Sequence, residues 1–76
     1  MFKILVADDE RNIRNLFKLR LEEEGYEVLT AENGNKALQI VYANVIDLCI
    51  VDVMMAEMDG FAFVEQIRKD GFSMPI

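Results

Sequence analysis

One cysteine, one proline and no histidine occur among the 76 residues. A single thiol excludes an internal disulfide, and without histidine the His-based zinc sites are excluded too. No apolar run approaches the roughly 18 residues that a membrane-spanning helix requires. The opening Met1–Ala7 carries one lysine and then turns acidic, with no small-residue cleavage pattern, so it does not read as a secretory signal. Cys49 stands alone inside an apolar run, which fits a core role and a reducing, cytoplasmic setting. Basic residues are also few: 8 Lys plus Arg stand against 14 Asp plus Glu, a formal charge of −6. Such a surface repels a phosphate backbone, so direct nucleic-acid binding by this segment is not expected.

What is present is apolar, at 53% of residues, too much for a disordered chain. The length allows one domain, and a chain this short buries only about 60% of the surface its unfolded form exposes. Lys3-Ile4-Leu5-Val6-Ala7 is apolar on both parities, as in a strand covered on both faces, and it stops at Asp8-Asp9-Glu10. A helix follows from Arg11 to Glu24, with Ile13, Leu16, Phe17 and Leu21 on one face, Leu19 widening the stripe and Gly25 as the stop. Asp9 and Glu10 suit the positive end of its dipole. Tyr26–Thr30 reads as a second strand. Asn33 then caps a helix through Ala43 whose inner face is Ala37, Ile40 and Val41. Asp47–Asp52 reads as a third strand whose four central residues, Leu48–Val51, are all apolar. After a loop over Met54–Met58, Asp59 caps a helix over Gly60–Lys69 with Val64 and Ile67 facing inward and Gly71 as the stop. Met74-Pro75-Ile76 begins a further extended segment, because a residue before proline avoids the helical region. Strict strand–helix alternation predicts an α/β fold built from right-handed crossovers on a parallel sheet. The alternation stops in mid-pattern, so residues 1–76 read as a single, incomplete domain.

In open parallel sheets, ligands bind beyond the carboxyl ends of the strands. Asp8 and Asp9 follow the first strand and Asp52 follows the third. If those strands are neighbours, three carboxylates converge on one rim, and their mutual repulsion calls for a cation. Oxygen ligands of this kind suit Mg2+, and the main-chain carbonyl of Met54 is the simplest further donor from the loop. Carboxylates are also established nucleophiles toward phosphoryl groups. The plainer reading is that an acid after a buried strand is only a polar terminator or a helix cap. It suits Asp9 or Asp59 taken singly better than it suits Asp8, Asp9 and Asp52 together. Met54, Met55 and Met58 read as loop and core filler, since thioethers prefer soft metals. The alternating acids of a calcium loop are missing around Asp52.

Three stretches together resemble the receiver domain of two-component response regulators. They are Lys3–Glu10, then Glu24–Val28 with Ala31-Glu32-Asn33-Gly34, and finally Asp52–Gly60. The resemblance implies a flavodoxin-like sheet whose strand order begins 2-1-3. It also implies Asp52 as phosphoacceptor, and Mg2+ held by Asp8, Asp9, Asp52 and the Met54 carbonyl. The donor would be a phosphohistidine on a sensor histidine kinase or phosphotransfer protein, or a small acyl-type phosphate. The domain would promote its own phosphorylation without being a turnover enzyme. Two departures stand out. Ala56 occupies a position where the family usually has proline, which loosens the loop. The chain also ends as the family's fourth strand begins. The hydroxyl residue and the lysine that the family carries after its fourth and fifth strands are therefore not among these residues, and Lys3, Lys18, Lys36 and Lys69 are misplaced to substitute.

Two other functions compete. One is an association fragment, its acids idle, that forms a homo-oligomer through the exposed edge of Leu48–Val51. The other is a dehalogenase-type phosphatase. That family needs an Asp-x-Asp arrangement after the first strand, which Asp8-Asp9-Glu10-Arg11 does not supply.

Overall fold

Alternation of side chains along Lys3–Ala7 decides the layering. In the computed structural model, which describes all 76 residues, this segment is the central strand β1 (Lys3–Ala7) of a three-stranded parallel sheet. It pairs with β2 (Glu27–Ala31) and with β3 (Leu48–Val51), giving the order 2-1-3 expected for a flavodoxin-like arrangement. The helices are α1 (Arg11–Glu23), α2 (Gly34–Ala43) and α3 (Gly60–Lys69). None is long and apolar enough to cross a membrane.

Leu5, Ala7, Ala31 and Cys49 point to one side of the sheet, where Ala37 and Val41 of α2 and Phe63 and Ile67 of α3 close the larger core. Ile4, Val6 and Val28 point to the other, against Leu21 of α1. Cys49 is core, as expected, and burial pushes its thiol up to about 11. Both predicted caps form: the Asn33 side chain accepts from the Lys36 N–H and the Asp59 side chain from the Ala62 N–H. Gly25 and Gly71 lie just past α1 and α3 at φ +92°, the left-handed stop that a helix end calls for.

Four details differ from the sequence reading. First, β2 starts at Glu27 rather than Tyr26, because the Tyr26 N–H is still spent on the Leu21 carbonyl at the end of α1. Second, Phe63 is fully buried beside Ile67, one turn away, and Val64 sits at the margin of the core. Third, no residue of α1 is fully buried: Ile13, Leu16, Phe17 and Leu19 remain exposed, because α1 is the only helix on its side of the sheet. Fourth, Met74–Ile76 forms no strand, although the Cys49 N–H donates to the Pro75 carbonyl at 2.9 Å and so occupies one position on the outer edge of β3.

Helices α2 and α3 are joined at their exposed ends by a hydrogen bond from the Tyr42 hydroxyl to the Asp70 carboxylate, which also accepts from the Gln66 amide. The Tyr42 bond, and then the Gln66 bond, hold Asp70 below the ordinary carboxylate range. Its contribution to stability is therefore present above the pKa of the unfolded carboxylate and is lost as pH falls through the lower folded value. Tyr42→Phe should move the Asp70 titration upward toward the ordinary value, as read by carboxyl NMR. An unmoved titration would mean that the hydroxyl does not hold the proton off.

Candidate functional site

Register brings the acids together. Ala7 lies opposite Val51 in the β1–β3 ladder, so Asp8 and Asp52, each one residue further on, leave the sheet at the same level. Two backbone bonds carry the ladders past the strand ends: the Asp52 N–H donates to the Ala7 carbonyl at 2.9 Å and the Asp8 N–H to the Ala31 carbonyl at 3.1 Å. With both backbones pinned, one oxygen each of Asp8, Asp9 and Asp52 fall within 4.8 Å of one another. Asp8 and Asp52 are half-buried and Asp9 is exposed.

Each carboxylate is then oriented locally. Asp8 Oδ1 accepts from the Glu10 N–H at 2.9 Å, which turns the chain into α1, and Arg14 donates to the Asp8 carbonyl at 2.8 Å. Asp52 Oδ1 accepts from the Met54 N–H at 3.3 Å. Asp9 accepts no hydrogen bond, which leaves its oxygens free. Behind Asp52, the Gly60 N–H closes the loop onto the Val53 carbonyl at 3.0 Å. A Cβ at Gly60 would stand 2.4 Å from the Asp52 carbonyl oxygen, so this approach requires glycine.

No lysine or arginine forms an ion pair with the three carboxylates, and the nearby Arg14 spends its guanidinium on the Asp8 main-chain carbonyl. The ion pairs of the chain lie elsewhere, as Lys3–Glu27, Lys18–Glu22 and Lys36–Glu32. A hard cation fits this donor set: oxygen ligands only, negative charge in excess, and an open side. The open side is a depression of about 470 Å³ lined by Asp9, Val53, Met54, Met55 and Asp59.

The three acids singled out from the sequence therefore meet at one rim, and Met54, 80% exposed, lies on the loop beside Asp52. Asp59 is the helix cap that the sequence indicated and also a wall of the depression, which its cap signal concealed. Arg14 was overlooked. Its signal was a basic residue in the second turn of a helix that follows an acidic strand end.

The family profile of the response regulator receiver domain matches residues 4–76. The chain belongs to this family. Among solved structures, this receiver chain is similar to the response regulator protein TrrA from Thermotoga maritima in complex with Mg2+-BeF. The two are 48% identical with a TM-score of 0.89, over 93% of this chain and 62% of that one. A second structure, of the histidine kinase ThkA in complex with TrrA, matches at 46% identity and a TM-score of 0.89, over 97% of this chain and 64% of that one. A curated relative, the probable transcriptional regulator ycf27 of Cyanidium caldarium, is 48% identical over 67 residues, 88% of this chain. The receiver chain spans only 27% of that relative's length.

Proposed function

We propose that this chain accepts a phosphoryl group on Asp52 from a histidine kinase or phosphotransfer protein in a two-component relay, with Mg2+ held by Asp8, Asp9, Asp52 and the Met54 main-chain carbonyl. The observation that carries the reading is the meeting of three carboxylate oxygens within 4.8 Å at the ends of β1 and β3, none of them in an ion pair. Support also comes from the family, from a TrrA structure with Mg2+-BeF and from another with a histidine kinase.

In this reading one Asp52 oxygen attacks the phosphorus of a phosphohistidine. The new P–O bond forms as the P–N bond breaks, and the leaving imidazole nitrogen takes a proton from solvent. Bound Mg2+ supplies positive charge against the phosphoryl oxygens. The Met54 N–H orients Asp52, and the open depression admits the donor. The chain is thus a phosphoacceptor that assists its own modification and is not a turnover enzyme.

Residues 1–76 make one unit in this reading, and none of their lysines pairs with the acidic rim. A polypeptide of these 76 residues should therefore bind Mg2+ but label slowly and sub-stoichiometrically with acetyl phosphate, because no lysine charge meets the incoming group. Intact mass after incubation with acetyl phosphate and Mg2+ reads the outcome, and Asp52→Asn should abolish whatever label forms. A label that persists in Asp52→Asn would refute the assignment. The competing reading, an association fragment, draws on the outer edge of β3, which a single backbone bond to Pro75 meets. It requires no response to Mg2+ and no label, so the same experiment separates the two.

A further inference from the structure

The loop from Val53 to Asp59 carries one wall of the acidic depression, and it is held from a direction that the site itself does not use. At its far end the Gly34 N–H, in the first turn of α2, donates to the Met58 carbonyl at 3.0 Å. The two backbones are so close that a Cβ at Gly34 would stand 2.2 Å from the Met58 carbonyl oxygen, 2.6 Å from its Cβ and 2.7 Å from its Cγ. One of those atoms is backbone, so no change of rotamer relieves the overlap, and any side chain at position 34 must displace the loop. The next residue of α2 adds a second tie, from the Asn35 amide to the Glu57 carboxylate at 3.4 Å. Glu57 itself has φ 66°, a left-handed conformation that a residue with a Cβ holds only when its surroundings fix it. Met55, between these ties and Asp52, is buried in the α2–α3 core.

We infer that Gly34 is a positioning residue for phosphoryl acceptance. Its missing side chain lets the start of α2 clamp the loop that presents Met54 beside Asp52. The inference rests on the reading of Asp52 as acceptor and Mg2+ as its cation.

Gly34→Ala separates positioning from folding because its two effects oppose each other. Alanine is a better helix former than glycine, and the Asn33 cap is made to the Lys36 N–H, not to Gly34. Loop displacement acts on the site and, through Met55 and Met58, on the core, so the fold is read separately. The 76-residue chain, titrated with Mg2+ alone and followed through the Met54 amide resonance, reports the site, while far-UV circular dichroism reports the fold. The variant should keep its helical signal and lose about tenfold in Mg2+ affinity, the range seen when groups that orient metal ligands are disturbed. Asn35→Ala is the second variant: it removes the tie to Glu57 without crowding α2 and should lower Mg2+ affinity several-fold while the helical signal is kept. Wild-type affinity in a folded Gly34→Ala would overturn the clamp. If that variant unfolds, unchanged affinity in Asn35→Ala overturns it. Failure of the wild-type chain to bind Mg2+ would instead count against the acceptor reading on which the inference stands.

Discussion

Phe63→Ala should cost the chain about 3–5 kcal/mol of stability. Phe63 is fully buried where α3 meets the sheet, in the same cluster as Leu5, Ala7, Cys49 and Ile67. Truncating a buried phenylalanine costs about 3–5 kcal/mol, through lost transfer energy and the cavity left behind. Domains hold roughly 0.05–0.15 kcal/mol per residue, so a chain of 76 residues has only about 4–11 kcal/mol in all. The loss therefore takes about a quarter of the total or more. Leu16→Ala on α1 is the control: Leu16 is 53% exposed, and its loss should cost less than about 1 kcal/mol. Urea denaturation followed by circular dichroism gives both numbers. A Phe63→Ala variant within about 1 kcal/mol of wild type would contradict the core described above.

Asp9→Asn should move two properties in opposite directions. Without a cation, Asp9 sits within 4.8 Å of two other carboxylates and accepts no hydrogen bond that the substitution would break. Like charges at such a distance repel by about 1 kcal/mol per pair even in water. Removing one charge removes two such pairs and should raise the stability of the metal-free chain by about 1–2 kcal/mol, more at low salt than at high salt. The same change removes an anionic Mg2+ ligand, so affinity should fall by about tenfold or more. Wild-type protein should gain thermal stability on adding Mg2+ and lose the gain on adding EDTA, whereas Asp9→Asn should barely respond. If the variant is destabilised without metal, or still gains stability from Mg2+ as wild type does, the three acids do not act as one cation site.

Much of this was legible in one dimension. Strands and helices announce themselves through apolar runs bounded by Asn33, Asp59, Gly25 and Gly71, because capping and helix termination are local chemistry. Helix faces were less legible. Phe61, Phe63, Val64 and Ile67 of α3 permit several rotations toward the sheet, and only packing against Cys49 and its neighbours selects Phe63 with Ile67 and leaves Phe61 exposed. The stripe on α1 looked like buried surface because periodicity reports which residues share a face. What covers that face is decided by neighbours far along the chain.

Local sequence was enough to determine the alternation of elements and the presence of acids after the first and third strands, since both depend on residues a few positions apart. Whether those acids meet was decided in three dimensions. It depends on β1 and β3 being adjacent and on Ala7 lying opposite Val51, and a slip of one residue would turn alternate side chains to the other face. The clamp of Gly34 on Met58 likewise joins two segments with no local signal for each other, and it exists because the folded backbones approach too closely for any side chain to fit between them.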